Sequence, residues 1–155
     1  MGQVKAGVIG VGKMGEYHVG VLSEMSEVSL VGVADIDEGR ARTVAKNYSC
    51  SYFSDYRDIF KEVDVVVIAV PTSLHYSVGK DFLNAGIHVL LEKPCSDNLD
   101  QARELFDIAS RKKLTLHIGH IERFNGAVQE LHKIVSQPIF VECKRMSSYN
   151  ERIKD

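Results

Sequence analysis

Gly10, Gly12 and Gly15 form the first group of residues whose types and spacing could do chemistry, in the run Val8-Ile9-Gly10-Val11-Gly12-Lys13-Met14-Gly15. A GxGxxG turn that leaves an apolar strand and opens a helix can cradle a pyrophosphate. Gly10 permits the tight turn, Gly12 lets the backbone approach the phosphates, and Gly15 lets the helix pack closely on the sheet. Lys13 and Met14 complete the turn, and the helix N-terminus offers its free N–H groups to negative charge. The same run could also be a glycine-rich strand-to-helix turn that holds no ligand.

A carboxylate follows at the spacing such a cradle needs. Val28-Ser29-Leu30-Val31-Gly32-Val33-Ala34 reads as a buried strand, and it ends in Asp35, twenty residues past Gly15. An acid there accepts hydrogen bonds from adenosine ribose hydroxyls. It could equally cap the helix that follows. Ile36, not Arg or Ser, stands next to Asp35, so nothing adjacent would neutralise a 2'-phosphate, and NAD is favoured over NADP. Arg40 and Arg42 are close enough in sequence to reach a phosphate or stack on adenine.

Two further turns carry reactive side chains. Val70-Pro71-Thr72-Ser73-Leu74-His75 ends the most apolar strand, where open α/β sheets place ligands. Thr72 can bond a ribose or phosphate and His75 starts the next helix; alternatively Thr72 or Ser73 is only a cap. Glu92-Lys93-Pro94 ends the strand after that. A lysine beside a carboxylate at the mouth of a sheet could orient a hydroxyl and stabilise developing charge. The bland alternative is a surface ion pair.

The elements that must position these residues follow from hydropathy. Strands are expected near 4–9, 28–34, 51–53, 63–70, 87–91 and 114–118, alternating with helical patterns, so the fold class is α/β with a doubly wound parallel sheet. Met14, Tyr17, Val21 and Leu22 are expected to pack the first helix on the sheet. Leu99, Ala102, Leu105, Phe106 and Ala109 mark one face of a helix over 99–111, with Asn98 and Gln101 resembling a capping box. Phe124, Val128, Leu131, Ile134 and Val135 mark another. After Pro138, Ile139, Val141 and Cys143 alternate with polar or larger neighbours, which predicts an antiparallel strand over 139–146. The expected division is a nucleotide-binding domain over 1–137 and the start of a second, truncated α/β domain over 138–155. An unaccompanied strand there would expose an edge to which another copy could pair, giving a homo-oligomer.

Composition excludes several classes. The 155 residues carry 19 Lys+Arg and 21 Asp+Glu, a formal charge of -2, which gives no general drive toward nucleic acid or anionic membrane. No apolar run approaches a membrane span, and Met1–Lys5 leads directly into a strand with no signal peptide. Cys50, Cys95 and Cys143 are odd in number and far apart, so neither a disulfide framework nor a zinc cluster is expected, and a cytoplasmic location fits. His117 and His120 have H-x-x-H spacing without a carboxylate or cysteine partner, so no metal is expected. His18 and His88 are read as satisfying local structure.

Together, AGVIGVGKMGEYH, VGVADID, VPTSLH, LLEKP and GHIERFN resemble the N-terminal half of the Gfo/Idh/MocA family of NAD(P)-dependent oxidoreductases, over essentially all of residues 3–155. The resemblance implies NAD held by Gly10, Gly12, Gly15 and Asp35, with Thr72 and His75 near its ribose and pyrophosphate. It places Glu92 and Lys93 beside the nicotinamide, with Lys93 touching a substrate hydroxyl as the catalytic residue. Arg123 and Asn125 match a segment that lines the cofactor side of the cleft, although Gly126 stands where relatives often have Pro. GHIERFN and the SSYNERIKD tail look most similar to the branch of UDP-N-acetylglucosamine 3-dehydrogenases and related nucleotide-sugar enzymes. That implies a sugar or nucleotide-sugar hydroxyl oxidised to a ketone. The family's second domain supplies an Asp and a His in a DxxxH pattern, which has no match after Lys93, so the chain alone is expected to bind NAD without efficient turnover. A non-catalytic NAD-binding or redox-sensing module is the alternative. A methyltransferase is disfavoured because Lys93 has no role there.

Overall fold

The computed structural model describes residues 2–142, 144 and 146. They fall into two compact units that divide between His120 and Ile121.

The first unit alternates strand and helix as the apolar runs require. Its order is β1 (Val4–Ile9), α1 (Lys13–Glu24), β2 (Val28–Ala34), α2 (Glu38–Tyr48), β3 (Ser51–Phe53), a 3-10 turn (Tyr56–Ile59), β4 (Val65–Ile68), α3 (Thr72–Asn84), β5 (His88–Leu91), α4 (Leu99–Lys112) and β6 (Leu116–Ile118). All six strands pair in parallel in the order β3-β2-β1-β4-β5-β6. The order reverses between β1 and β4, and ligands of such sheets bind outside the carboxyl ends of the strands at that reversal.

Two apolar layers cover the sheet. One joins Ile68, Val78, Phe82, Leu91, Leu105 and Ile108, so α3 and α4 share a face. The other joins Val8, Val11, Val19, Val33, Val44 and Val67 beneath α1 and α2. Val66–Ile68 are buried outright, which is why β4 shows no polar alternation.

Two helices are rotated from the faces expected of them. α1 buries Gly15 and Val19, with Leu22 packed beside them, while Tyr17 and Val21 stay 58% and 60% exposed. Its contact with the sheet is made through Gly15, Val19 and Leu22, and Met14, Tyr17 and Val21 lie off that stripe. α4 buries Leu105, Ile108 and Ala109, a three-to-four-residue stripe that leaves Leu99 and Phe106 exposed. Its N-cap is Asn98, whose side chain accepts the Gln101 N–H at 3.0 Å.

The second unit contains a 3-10 turn (Ile121–Phe124) and α5 (Gly126–Ile134), capped by Asn125 through the Ala127 N–H. Phe124 therefore belongs to the turn before the helix. The strand expected over 139–146 does not form among the described residues 139–142, 144 and 146; Cys143 and Arg145 lie outside them. Alternation alone makes no strand, because the ladder needs a partner to receive its N–H and C=O groups, and none pairs with this segment among the described residues.

Candidate functional site

Each turn singled out in the sequence lies at the carboxyl end of a strand of the first unit: Gly10 after β1, Asp35 after β2, Thr72 after β4, and Glu92 and Lys93 after β5. The parallel sheet brings them to one edge, although 83 residues separate Gly10 from Lys93 in sequence.

The glycine turn is built as its residue types demand. Gly10 has φ +81°, and a Cβ there would meet the Ala69 carbonyl oxygen at 2.8 Å. A Cβ on Gly15 would fall 1.8 Å from the Gly10 carbonyl oxygen, so no larger residue fits beneath the turn. Gly12 is different: it is the N-cap of α1, and a Cβ there would meet no protein atom within 4 Å. That open space, with no side chain capping the first turn of α1, leaves room and N–H donors for a phosphate group. Lys13 and Met14 are exposed in that first turn.

Asp35 is buried and does not cap α2; that role falls to Asp37, whose carboxylate accepts the Arg40 N–H. Instead Asp35 Oδ2 accepts the Val11 N–H at 2.8 Å and Oδ1 accepts the Asp37 N–H at 2.9 Å. The Arg40 guanidinium reaches Oδ2 at 3.4 Å. Arg42 is directed elsewhere, to Tyr52 and Glu38, which raise its pKa in that order of importance.

Thr72 opens α3 after Pro71, and no side chain caps that helix among the described residues. His75 is 1% exposed, with Nδ1 2.7 Å from the Pro94 carbonyl oxygen and Nε2 2.9 Å from that of Val70. Both ring nitrogens face main chain, so the ring joins the turn after β4 to the turn after β5. Glu92 is also buried; its Oε2 accepts the Lys93 N–H at 3.2 Å, and its Oε1 accepts from His18 Nε2 at 2.8 Å. Lys93 itself is exposed. His18 is thus a member of this edge that was read from the sequence as satisfying local structure only. Its signal was there, one turn of helix after Gly15, but its partner lies 74 residues away. His88 accepts the Thr115 N–H, which ties the start of β5 to the residue before β6. Arg123 lies in the 3-10 turn of the second unit.

An open groove of about 830 Å³ begins at Val11, Gly12 and Lys13, takes in Arg40, and runs along α1 to Tyr48; neither Thr72 nor Lys93 lines it. Among the described residues no group of His, Cys, Asp and Glu could hold a metal ion.

A glycine turn, a buried acid on the neighbouring strand and reactive side chains at the switch point of a 3-2-1-4-5-6 sheet define a Rossmann nucleotide-binding domain. The chain belongs to the Gfo/Idh/MocA oxidoreductase family, whose NAD-binding Rossmann-fold profile matches residues 4–120. It is 35% identical over 153 residues to UDP-N-acetylglucosamine 3-dehydrogenase of Acidithiobacillus ferrooxidans, covering 98% of this chain and 48% of that protein. A crystal form of that dehydrogenase superposes with TM-score 0.80 at 37% identity, over 86% of this chain and 44% of the other. GenD2 from gentamicin A biosynthesis, solved in complex with NAD, superposes with TM-score 0.83 at 26% identity, over 86% and 39%. The chain therefore spans about half the length, or less, of these relatives.

Proposed function

We propose that this chain is the NAD-binding half of a dehydrogenase that oxidises a secondary hydroxyl of a sugar or nucleotide sugar to a ketone. The observation that carries the reading is the placement of the Glu92–Lys93 turn on the same sheet edge as the glycine turn and Asp35. A structural ion pair would need no such placement. The nucleotide-sugar class is supported by the 35% identity to an enzyme named for UDP-N-acetylglucosamine. Because the relatives are about twice as long, the activity is proposed for a protein that contains this half.

In this reading Gly12 and the first turn of α1 hold the pyrophosphate of NAD, and Asp35 holds the adenosine ribose. Thr72 lies toward the ribose and pyrophosphate, with His75 fixing that turn. NAD, when bound, supplies a two-electron acceptor at C4 of its nicotinamide. Lys93, an exposed ammonium, hydrogen-bonds the substrate hydroxyl and stabilises charge on its oxygen as the proton leaves. Asp35 favours NAD over NADP because its buried carboxylate would face a 2'-phosphate, with Arg40 as the only guanidinium bonded to it among the described residues. The free thiols of Cys50 and Cys95 support a cytoplasmic setting.

Calorimetric titration of the chain with NAD and NADP tests the cofactor. NAD is expected to bind at least about tenfold more tightly; equal or tighter NADP binding would remove the role given to Asp35. In a protein containing this half, Lys93→Met should abolish NADH production from a nucleotide sugar while NAD binding persists. Retained turnover would return Lys93 to the surface.

A further inference from the structure

The Glu92 carboxylate is clamped from two sides by residues with no assigned part in the site. On one side His18 Nε2 lies 2.8 Å from Oε1. On the other, Gly119 follows β6, its N–H bonded to the Leu91 carbonyl at 2.8 Å, and a Cβ there would come within 3.2–3.3 Å of Oε1, Cδ and Oε2. Gly119 has no positive φ, and a side chain there would press on the carboxylate, which would have to give by a few tenths of an ångström. The carboxylate so held fixes the next residue, because Oε2 accepts the Lys93 N–H.

We propose that His18 is a positioning residue that sets the Glu92–Lys93 turn against α1. An ionised carboxylate can only accept, so Nε2–H is the donor. His18 stands one turn after Gly15, on the helix whose N-terminus faces the phosphates in the proposed site. The pyrophosphate cradle and the Lys93 main chain are then referenced to one rigid helix, with Glu92 as the link. Gly119 keeps the opposite side closed. The inference rests on the cofactor reading above, and it predicts that His18 affects the nicotinamide half of the dinucleotide and not the adenosine half.

The test uses the 155-residue chain, NAD, and ADP, which lacks the nicotinamide riboside. His18→Leu is expected to weaken NAD about tenfold, the loss of one hydrogen bond to a charged group, and to leave ADP within about twofold. His18→Gln, which keeps a donor, should recover NAD to within about threefold. Gly119→Ala, which crowds the carboxylate without touching α1, should reproduce the His18→Leu pattern and decides the matter if His18→Leu fails to fold. Without any nucleotide, the Lys93 amide cross-peak in a 1H–15N spectrum should move in His18→Leu and Gly119→Ala and return in His18→Gln. Parallel loss of NAD and ADP would show that His18 merely supports α1 and would overturn the proposal, as would an unmoved Lys93 amide. If the unaltered chain bound neither nucleotide, the cofactor reading would fail, while the Lys93 amide would still report on the clamp.

Discussion

Asp35 Oδ2 accepts the Val11 N–H at 2.8 Å, so the acid that ends β2 is bonded directly to the glycine turn that ends β1. Its other oxygen accepts the Asp37 N–H, which shapes the entry to α2. One buried carboxylate thus fixes both loops that would surround an adenosine ribose. That explains why an acid is needed here even before a ligand arrives: two main-chain donors converge on it, and only a group with two acceptor oxygens satisfies both.

Asp35→Asn should therefore behave almost as badly as Asp35→Ala. The amide offers one acceptor and one donor group, so either the Val11 or the Asp37 N–H faces another donor. A buried donor left unpaired costs about 1–3 kcal/mol, which urea unfolding of the NAD-free chain would report. If Asp35→Asn left that stability unchanged and lowered only NAD affinity, the acid would serve the ribose alone.

Gly15 and Gly12 should separate stability from binding. Gly15→Ala puts a methyl 1.8 Å from a backbone oxygen that cannot move aside without breaking the turn, so a loss of about 3 kcal/mol or more is expected. Gly12→Ala meets nothing within 4 Å. Its stability should change by less than about 1 kcal/mol, the ordinary difference between Gly and Ala at an N-cap. NAD affinity should nevertheless fall, because the methyl takes space open to the phosphates. Thermal melts with and without NAD distinguish the two variants.

These contrasts also show what was legible in the sequence and what was not. The sheet could be read because strands buried on both faces leave unbroken apolar runs such as Val65–Val70. The glycine turn could be read because a positive φ at Gly10 and the close approach at Gly15 admit no other residue. The seated face of α1 could not: hydropathy favours Met14, Tyr17 and Val21, whereas a helix drawn close to a sheet buries small residues, here Gly15 and Val19. His18 with Glu92 was hidden for another reason. The pair exists only because the fold brings the turn after β5 to α1, and no local spacing encodes a contact across 74 residues. The alternation after Pro138 was legible as pattern, but a strand is a property of two segments.

Tyr56 should give the first unit a measurable alkaline limit. Burial, reinforced by the hydrogen bond from its hydroxyl to Asp81 Oδ2 at 2.8 Å, pushes its pKa up to about 12. The folded state therefore keeps a proton that the unfolded chain releases near 10. Stability from this group is complete below pH 10 and declines as pH rises toward 12. Tyr56→Phe should flatten that part of the stability profile while preserving the ring's packing on Phe60 and Phe82. An identical alkaline slope in both proteins would show that other groups set the limit.

His75 yields a prediction that distinguishes direct contact with a cofactor from support of the site. Its ring nitrogens lie 2.7 and 2.9 Å from the carbonyl oxygens of Pro94 and Val70, and the side chain is shut away from solvent. A residue reserved for a ribose would leave the NAD-free chain indifferent to its removal. Here His75→Leu deprives a main-chain carbonyl of its donor in the interior, so the NAD-free chain should lose about 1–3 kcal/mol. The turn after β5 should loosen with it, because Pro94 immediately follows Lys93. Hydrogen exchange would register this as faster exchange of the Lys93 and Cys95 amides, with the β1 amides unaffected. Unchanged stability and unchanged exchange, together with weaker NAD binding, would instead make His75 a ligand of the cofactor.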